Sequence, residues 1–160
     1  MHGHLVSDLE IRAPAERVWE CYSTLELTDV VRHFLAPFVE KIDVVQGDGK
    51  AGTILDITFV EGTPGVRHYQ EKFIVVDDAT RVKTADAIQG GYHELGFALY
   101  RVTFQILDKD ADSCIVKSTI DYEIDDDKAS NASFVSTAVL DILGRAVEQH
   151  IAQKKLETAA

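Results

Sequence analysis

The sequence predicts an α+β domain: a seven-stranded antiparallel sheet curved around one long C-terminal helix, with two short helices after the first strand and a cavity between sheet and helix. Three observations predict it. From Phe38 to Ile124 the pattern is of short strands separated by turns rich in Gly, Pro and Asp. The triplet Asp125-Asp126-Asp127 closes that region, and from there to Lys155 Gly144 is the only Gly or Pro. Near the start, Ala13-Pro14-Ala15-Glu16 switches the period from strand to helix. Strands joined by short turns form an antiparallel meander, and an apolar helix stripe needs a sheet to bury it.

Each element follows in order. Residues 5–12 place Leu5, Leu9 and Ile11 among polar residues, as a strand does. Pro14 suits a first helical position, and Val18, Trp19 and Tyr22 fall at helical spacing. A second short helix is expected over about 25–35, ending before Pro37. Strands are expected over 39–45, 53–60, 68–76, 81–88, 95–107 and 113–124, with a break at Gly90-Gly91. Asp127 is the expected N-cap of the last helix, over about 129–155. Its stripe is Val135, Val139, Ile142, Ala146 and His150, with Ala138, Leu143, Val147 and Ile151 beside it. His150 on that stripe reads as a packed, hydrogen-bonded histidine. Residues 1–160 form one domain, with 1–4 and 156–160 expected as flexible ends.

Composition narrows the function. Hydrophobic residues are 46% and charged residues 27%, which excludes disorder for the body of the chain. With 27 acidic and 16 basic side chains the net charge is -11, so nucleic acid and anionic membranes are poor partners. Cys21 and Cys114 form neither a disulfide framework nor a CxxC pair, and His33, His68 and His93 lack ligand spacing, so no metal is expected. No signal peptide pattern and no membrane-spanning apolar run is visible, so the expected setting is cytoplasmic. Gly47-x-Gly49-x-x-Gly52 has a dinucleotide-binding spacing, but it lies between two strands and reads as a strand-to-strand turn.

The strand at 68–76 puts Tyr69, Glu71, Phe73 and Val75 on one face. A carboxylate in line with apolar side chains is costly unless it is used, although a glutamate near a strand end is also commonly exposed. Lys83 on the next strand shares parity with the small Ala85 and Ala87, while Val82 and Ile88 take the other face, so its direction is open. Alone it reads as a solvated lysine. If Tyr69, Glu71 and Lys83 converge in one cavity, the lysine can polarise a carbonyl or iminium and the carboxylate can take a proton. Phe97, Tyr100, Phe104 and Phe134 read as core or cavity lining.

The order of elements resembles the plant birch-pollen-allergen family, the Bet v 1-like or pathogenesis-related class-10 proteins with a helix-grip fold. The stretches Gly47-Asp48-Gly49-Lys50-Ala51-Gly52-Thr53-Ile54-Leu55, Tyr69-Gln70-Glu71-Lys72-Phe73, Gly90-Gly91-Tyr92 and Asp112-Ser113-Cys114-Ile115-Val116-Lys117-Ser118 resemble its norcoclaurine synthase branch. The resemblance runs from about Leu5 to His150. It implies a cofactor-independent Pictet–Spengler condensation of dopamine with 4-hydroxyphenylacetaldehyde. By the same resemblance Lys83 assists loss of water to the iminium, Glu71 removes the ring proton and Tyr69 shapes the entrance. Phe73, Phe97, Tyr100, Val102, Phe104 and Phe134 are the expected substrate contacts. Val102 stands where the family has a catalytic aspartate. Asn131-Ala132-Ser133-Phe134 resembles the norbelladine synthase relatives, which join an aromatic amine to a benzaldehyde as an imine. The partners so implied are an aromatic amine and an aldehyde. The alternative is a carrier of a hydrophobic hormone, flavonoid or alkaloid, and the expected state is a monomer or weak dimer.

Overall fold

The computed structural model describes residues 1–159. Alternation of polar and apolar residues forms β1 (His2–Ile11), and every second side chain along it turns inward. Residues 2–4, expected as a loose end, pair with Glu123, Tyr122 and Asp121. Two short helices follow, α1 (Ala15–Tyr22) and α2 (Glu26–Phe34). Pro14 is not the first helical residue but the cap before it: its ψ of 141° is extended, and its carbonyl accepts from the Val18 amide at 3.0 Å. The strands β2 (Val39–Gln46), β3 (Ile54–Phe59), β4 (His68–Asp77) and β5 (Val82–Gly90) come next. A single turn, α3 (Gly91–Glu94), which the sequence reading treated only as a break, leads into β6 (Phe97–Asp110) and β7 (Ser113–Ile124).

All seven strands form one antiparallel sheet in the order β1-β7-β6-β5-β4-β3-β2. Its outer face carries a ladder of alternating charge. His4 pairs with Asp121, Asp121 with Arg101, Arg101 with Asp86, and Asp86 with Lys72. Arg101 grips Asp86 through two bonds of 2.7 and 2.8 Å. Opposite charges on neighbouring strands fix register as well as adding stability.

The last helix differs from expectation. Residues 126–134 form a 3-10 stretch (Asp126–Phe134) that breaks helical geometry at Lys128, and α4 starts only at Ala138 and runs to Ala159. Ser130, Asn131 and Ser133 are weak helix formers. Asn131 donates to the Leu95 carbonyl at 2.8 Å, and Val135 is extended. Asp127 therefore caps nothing; Ser136 Oγ accepts from the Ala138 amide at 3.1 Å instead. The helix continues through most of the expected flexible end, of which residue 160 lies outside the described residues.

The inward stripe of α4 is Leu143, Gly144, Ala146, Val147, His150 and Ile151. Ile142 points outward, Val139 is 41% exposed, and Val135 precedes the helix. The main core lies between this stripe, α1, α2 and the concave face of the sheet. A second cluster, around Phe97, Tyr100, Ile120, Ile124 and Val135, fills the end of the sheet below α3. Trp19 packs into the main core and donates its indole N–H to Asp78 Oδ1 at 2.8 Å, tying α1 to the β4–β5 turn.

Candidate active site

The cavity between the concave face and the helices measures about 120 Å³. Its walls are almost wholly apolar, with Leu27, Val31 and Leu35 from α2, Leu55 and Ile57 from β3, and Leu143 from α4 among them. The sequence reading missed these residues, although the i, i+4 spacing of α2 and the alternation of β3 carried the signal. Two charged side chains enter this space, Glu71 and Lys83.

β4 supplies Tyr69, Glu71 and Phe73, which point inward as alternation predicts. The alternation then fails. Phe73 pairs with Ala85, Val75 with Thr84 and Val76 with Lys83, so Ile74 is an extra residue in β4. This bulge exposes both Ile74 and Val75 and turns Val76 inward, correcting the expectation that Val75 shares the Glu71 face. On β5, Lys83 and Ala85 are both buried, and the small Ala85 leaves the room that the cavity occupies.

Lys83 is 3% exposed, not solvated. Its Nζ donates to the Tyr22 carbonyl at 2.9 Å and stands 3.9 Å from the centroid of the Phe73 ring. Tyr22 is the last residue of α1, where the helix dipole favours a cation. Among the described residues no carboxylate oxygen lies within 4.0 Å of this ammonium. Burial pulls the Lys83 pKa down to about 8, against the opposing pull of the Glu71 carboxylate. Burial likewise raises Glu71, while Lys83 and the Tyr69 hydroxyl partly offset it.

Tyr69 donates to Glu71 Oε2 over a long 3.4 Å. Its ring stacks on Phe59 and meets Tyr92 edge-on with centroids 4.9 Å apart. Glu71 pairs across the ladder with Ala87, four residues along β5 from Lys83. That is about 13 Å of strand, so the two charged side chains approach the cavity from separate positions with Phe73 between them.

Of the other expected contacts, Val102 and Phe104 line the cavity, Val102 directly across from Ala85. Phe97 and Tyr100 do not. They belong to the second cluster, where Tyr100 stacks on Tyr92 at 3.8 Å, because β6 carries them beyond the end of the cavity. Phe134 is also outside it: 46% exposed, it lies over Gly65 on the β3–β4 loop, since the 3-10 stretch turns it away from the path of α4. Cys21 and Cys114 are buried free thiols, raised by burial to about 12 and about 11. His150 packs and hydrogen-bonds Glu26 at 2.7 Å.

With this geometry in view, the similarities to known proteins are specific. The chain is 40% identical to norbelladine synthase of Narcissus pseudonarcissus over 155 residues, 97% of this chain and 95% of that protein. It is 33% identical to S-norcoclaurine synthase 2 of Papaver somniferum, across 94% of this chain and 65% of that protein. Its fold superimposes with a TM-score of 0.86 on norcoclaurine synthase from Thalictrum flavum solved in complex with dopamine and hydroxybenzaldehyde. That match has 32% identity and covers 96% of this chain and 88% of the other. Residues 1–154 match the pathogenesis-related protein Bet v 1 family, so the chain belongs to that family, in the branch that holds the norbelladine and norcoclaurine synthases.

Proposed function

We propose that the protein condenses an aromatic amine with an aromatic aldehyde, without a cofactor, in the cavity that holds Lys83 and Glu71. The observation that carries this reading is the pair itself: one ammonium and one carboxylate, both desolvated, in an otherwise apolar space. The ammonium of Lys83 hydrogen-bonds the aldehyde oxygen and draws electron density from the carbonyl carbon, and the amine adds there. Glu71 shuttles the protons, so that the carbinolamine loses water and the imine forms. Tyr69, hydrogen-bonded to Glu71, orients that carboxylate and borders the incoming ring. The balance is one amine and one aldehyde to one imine and one water.

Two observations favour release at the imine over ring closure. Val102 supplies no second carboxylate to the cavity, and the chain is 40% identical to norbelladine synthase against 33% to S-norcoclaurine synthase 2 of Papaver somniferum. The ring-closing reaction of the norcoclaurine type is the other form of the reading, and passive carriage of an apolar ligand is the alternative to both. Two buried free thiols suit a reducing, cytoplasmic setting, and a monomer or weak dimer completes the reading.

The test is a mass-spectrometric assay of dopamine with hydroxybenzaldehyde and, separately, with 4-hydroxyphenylacetaldehyde, each quenched with borohydride. Lys83→Ala and Glu71→Gln are the controls. Amine product above background, lost in Lys83→Ala and reduced on the order of a hundredfold in Glu71→Gln, supports condensation. An enantiomeric excess of cyclised product assigns the ring-closing form. Background rates with both aldehydes leave carriage as the function.

A further inference from the structure

Lys83 differs from an ordinary buried lysine in having no carboxylate within 4.0 Å, so no ion pair locks it in the charged state. Its one side-chain hydrogen bond is to the Tyr22 carbonyl, and the Phe73 ring blocks a second side. Its remaining direction is toward the cavity it lines. A space of about 120 Å³ is comparable to the apolar cavity of ~150 Å³ known to take benzene, so an aromatic aldehyde can place its carbonyl beside Lys83.

We propose that Lys83 is itself an aldehyde-capturing nucleophile, which forms a covalent imine with an aromatic aldehyde in the cavity when no substrate amine is bound. The inference rests on reading this cavity as the aldehyde site. The lone pair of neutral Nζ attacks the carbonyl carbon, and the carbonyl electrons pass to oxygen. The nitrogen proton of this adduct moves to that oxygen, which gives the neutral carbinolamine. The hydroxyl then leaves as water with the proton of the Glu71 carboxyl, and the nitrogen lone pair forms the C=N bond. One lysine amine, one aldehyde and the Glu71 proton become one protonated imine and one water, with Glu71 left as the carboxylate and no oxidation or reduction. An arriving substrate amine then exchanges with Lys83 at the same carbon, which releases the product imine and restores the lysine.

The surroundings favour each step. With a pKa of about 8, the Lys83 amine is neutral in roughly a tenth of molecules at pH 7, on the order of a hundredfold more than a surface lysine. Desolvation of this kind is how lysines become carbonyl nucleophiles. The apolar walls offer water few hydrogen-bond partners, which disfavours reversal of the condensation.

The experiment uses the full chain with 4-hydroxybenzaldehyde and sodium cyanoborohydride and no amine, so that reduction of the imine fixes a hydroxybenzyl group on nitrogen. Intact mass and peptide mapping then locate it. The expected result is one group on Lys83, added at least tenfold faster than on the exposed Lys41 or Lys50, absent at position 83 in Lys83→Arg and slowed in Glu71→Gln. Wild-type mapping needs no variant to fold. Surface lysines labelled at their background rate with Lys83 unmodified overturn the proposal. Turnover of amine and aldehyde without labelling of Lys83 leaves the condensation reading standing alone. Labelling without turnover leaves covalent capture standing and removes the condensation reading.

Discussion

Lys83 stands between opposing influences. Burial favours the neutral amine, whereas the Phe73 face, the Tyr22 carbonyl and the Glu71 charge favour the ammonium. The consequences for pH differ for stability and for turnover. The folded pKa of about 8 lies below the ordinary value of 10.5, so the unfolded chain binds more protons between them and this group's contribution to stability rises across that window. Carbonyl activation needs the ammonium and proton removal needs the Glu71 carboxylate. Turnover should therefore rise as Glu71 ionises, above the usual glutamate range, and fall through about pH 8. Lys83→Arg should abolish the falling limb in a pH–rate profile; a limb that persists assigns it to another group. At Val102 a carboxylate would enter the cavity next to Ala85. Val102→Asp is expected to raise the cyclised fraction with dopamine and 4-hydroxyphenylacetaldehyde while lowering stability by about 1–3 kcal/mol, read by chiral chromatography and urea unfolding.

The β4–β5 pair is the element that aims the site, and it does so through two irregularities. An extra residue in β5 near Ile88 sets Glu71 opposite Ala87, and the Ile74 bulge sets Val76 opposite Lys83. At the end of β5, Gly90 has φ +97°, and an added Cβ would lie 2.8 Å from both the His68 carbonyl oxygen and the Tyr69 Cα. Gly90→Ala should cost about 1–3 kcal/mol in thermal or urea unfolding and, by displacing Tyr69, lower turnover more than it weakens folding. These irregularities explain what the sequence showed and what it concealed. Uninterrupted alternation made Tyr69, Glu71 and Phe73 legible as one face. Val75 was misplaced because a bulge among consecutive β-branched residues leaves no compositional mark. The face of Lys83 stayed undecided from its strand alone because Ala85 and Ala87 are apolar on one side while Val82 and Ile88 are apolar on the other. Its hydrogen-bond partner, a main-chain carbonyl at the end of α1, has no side-chain signature at all. The start of α4 was misjudged because helix-competent composition ran past Asn131, whose side chain is held by the Leu95 carbonyl, a partner distant in sequence. The seven strands and their meander were legible because turns punctuate them.

Across the whole molecule, three helices are tied by one carboxylate. Glu26 at the start of α2 accepts two bonds from Arg17 of α1, at 3.0 and 2.6 Å, and meets His150 of α4 at 2.7 Å. The Arg17 bond foremost holds its pKa below the usual range. Its contribution to stability is therefore complete above the ordinary glutamate pKa and fades as pH falls through the lowered one. Glu26→Gln should lower stability by about 1–3 kcal/mol at neutral pH, and the gap from wild type should close in acid; a gap that persists in acid assigns the loss to packing. The same helix α1 carries the sole tryptophan of the chain, Trp19, three residues before the carbonyl that holds Lys83. A ligand that draws the ammonium away from that carbonyl is expected to disturb the last turn of α1 and the surroundings of the indole. Intrinsic emission that follows aldehyde concentration in the wild type and not in Lys83→Ala would then report occupancy of the cavity with no label attached.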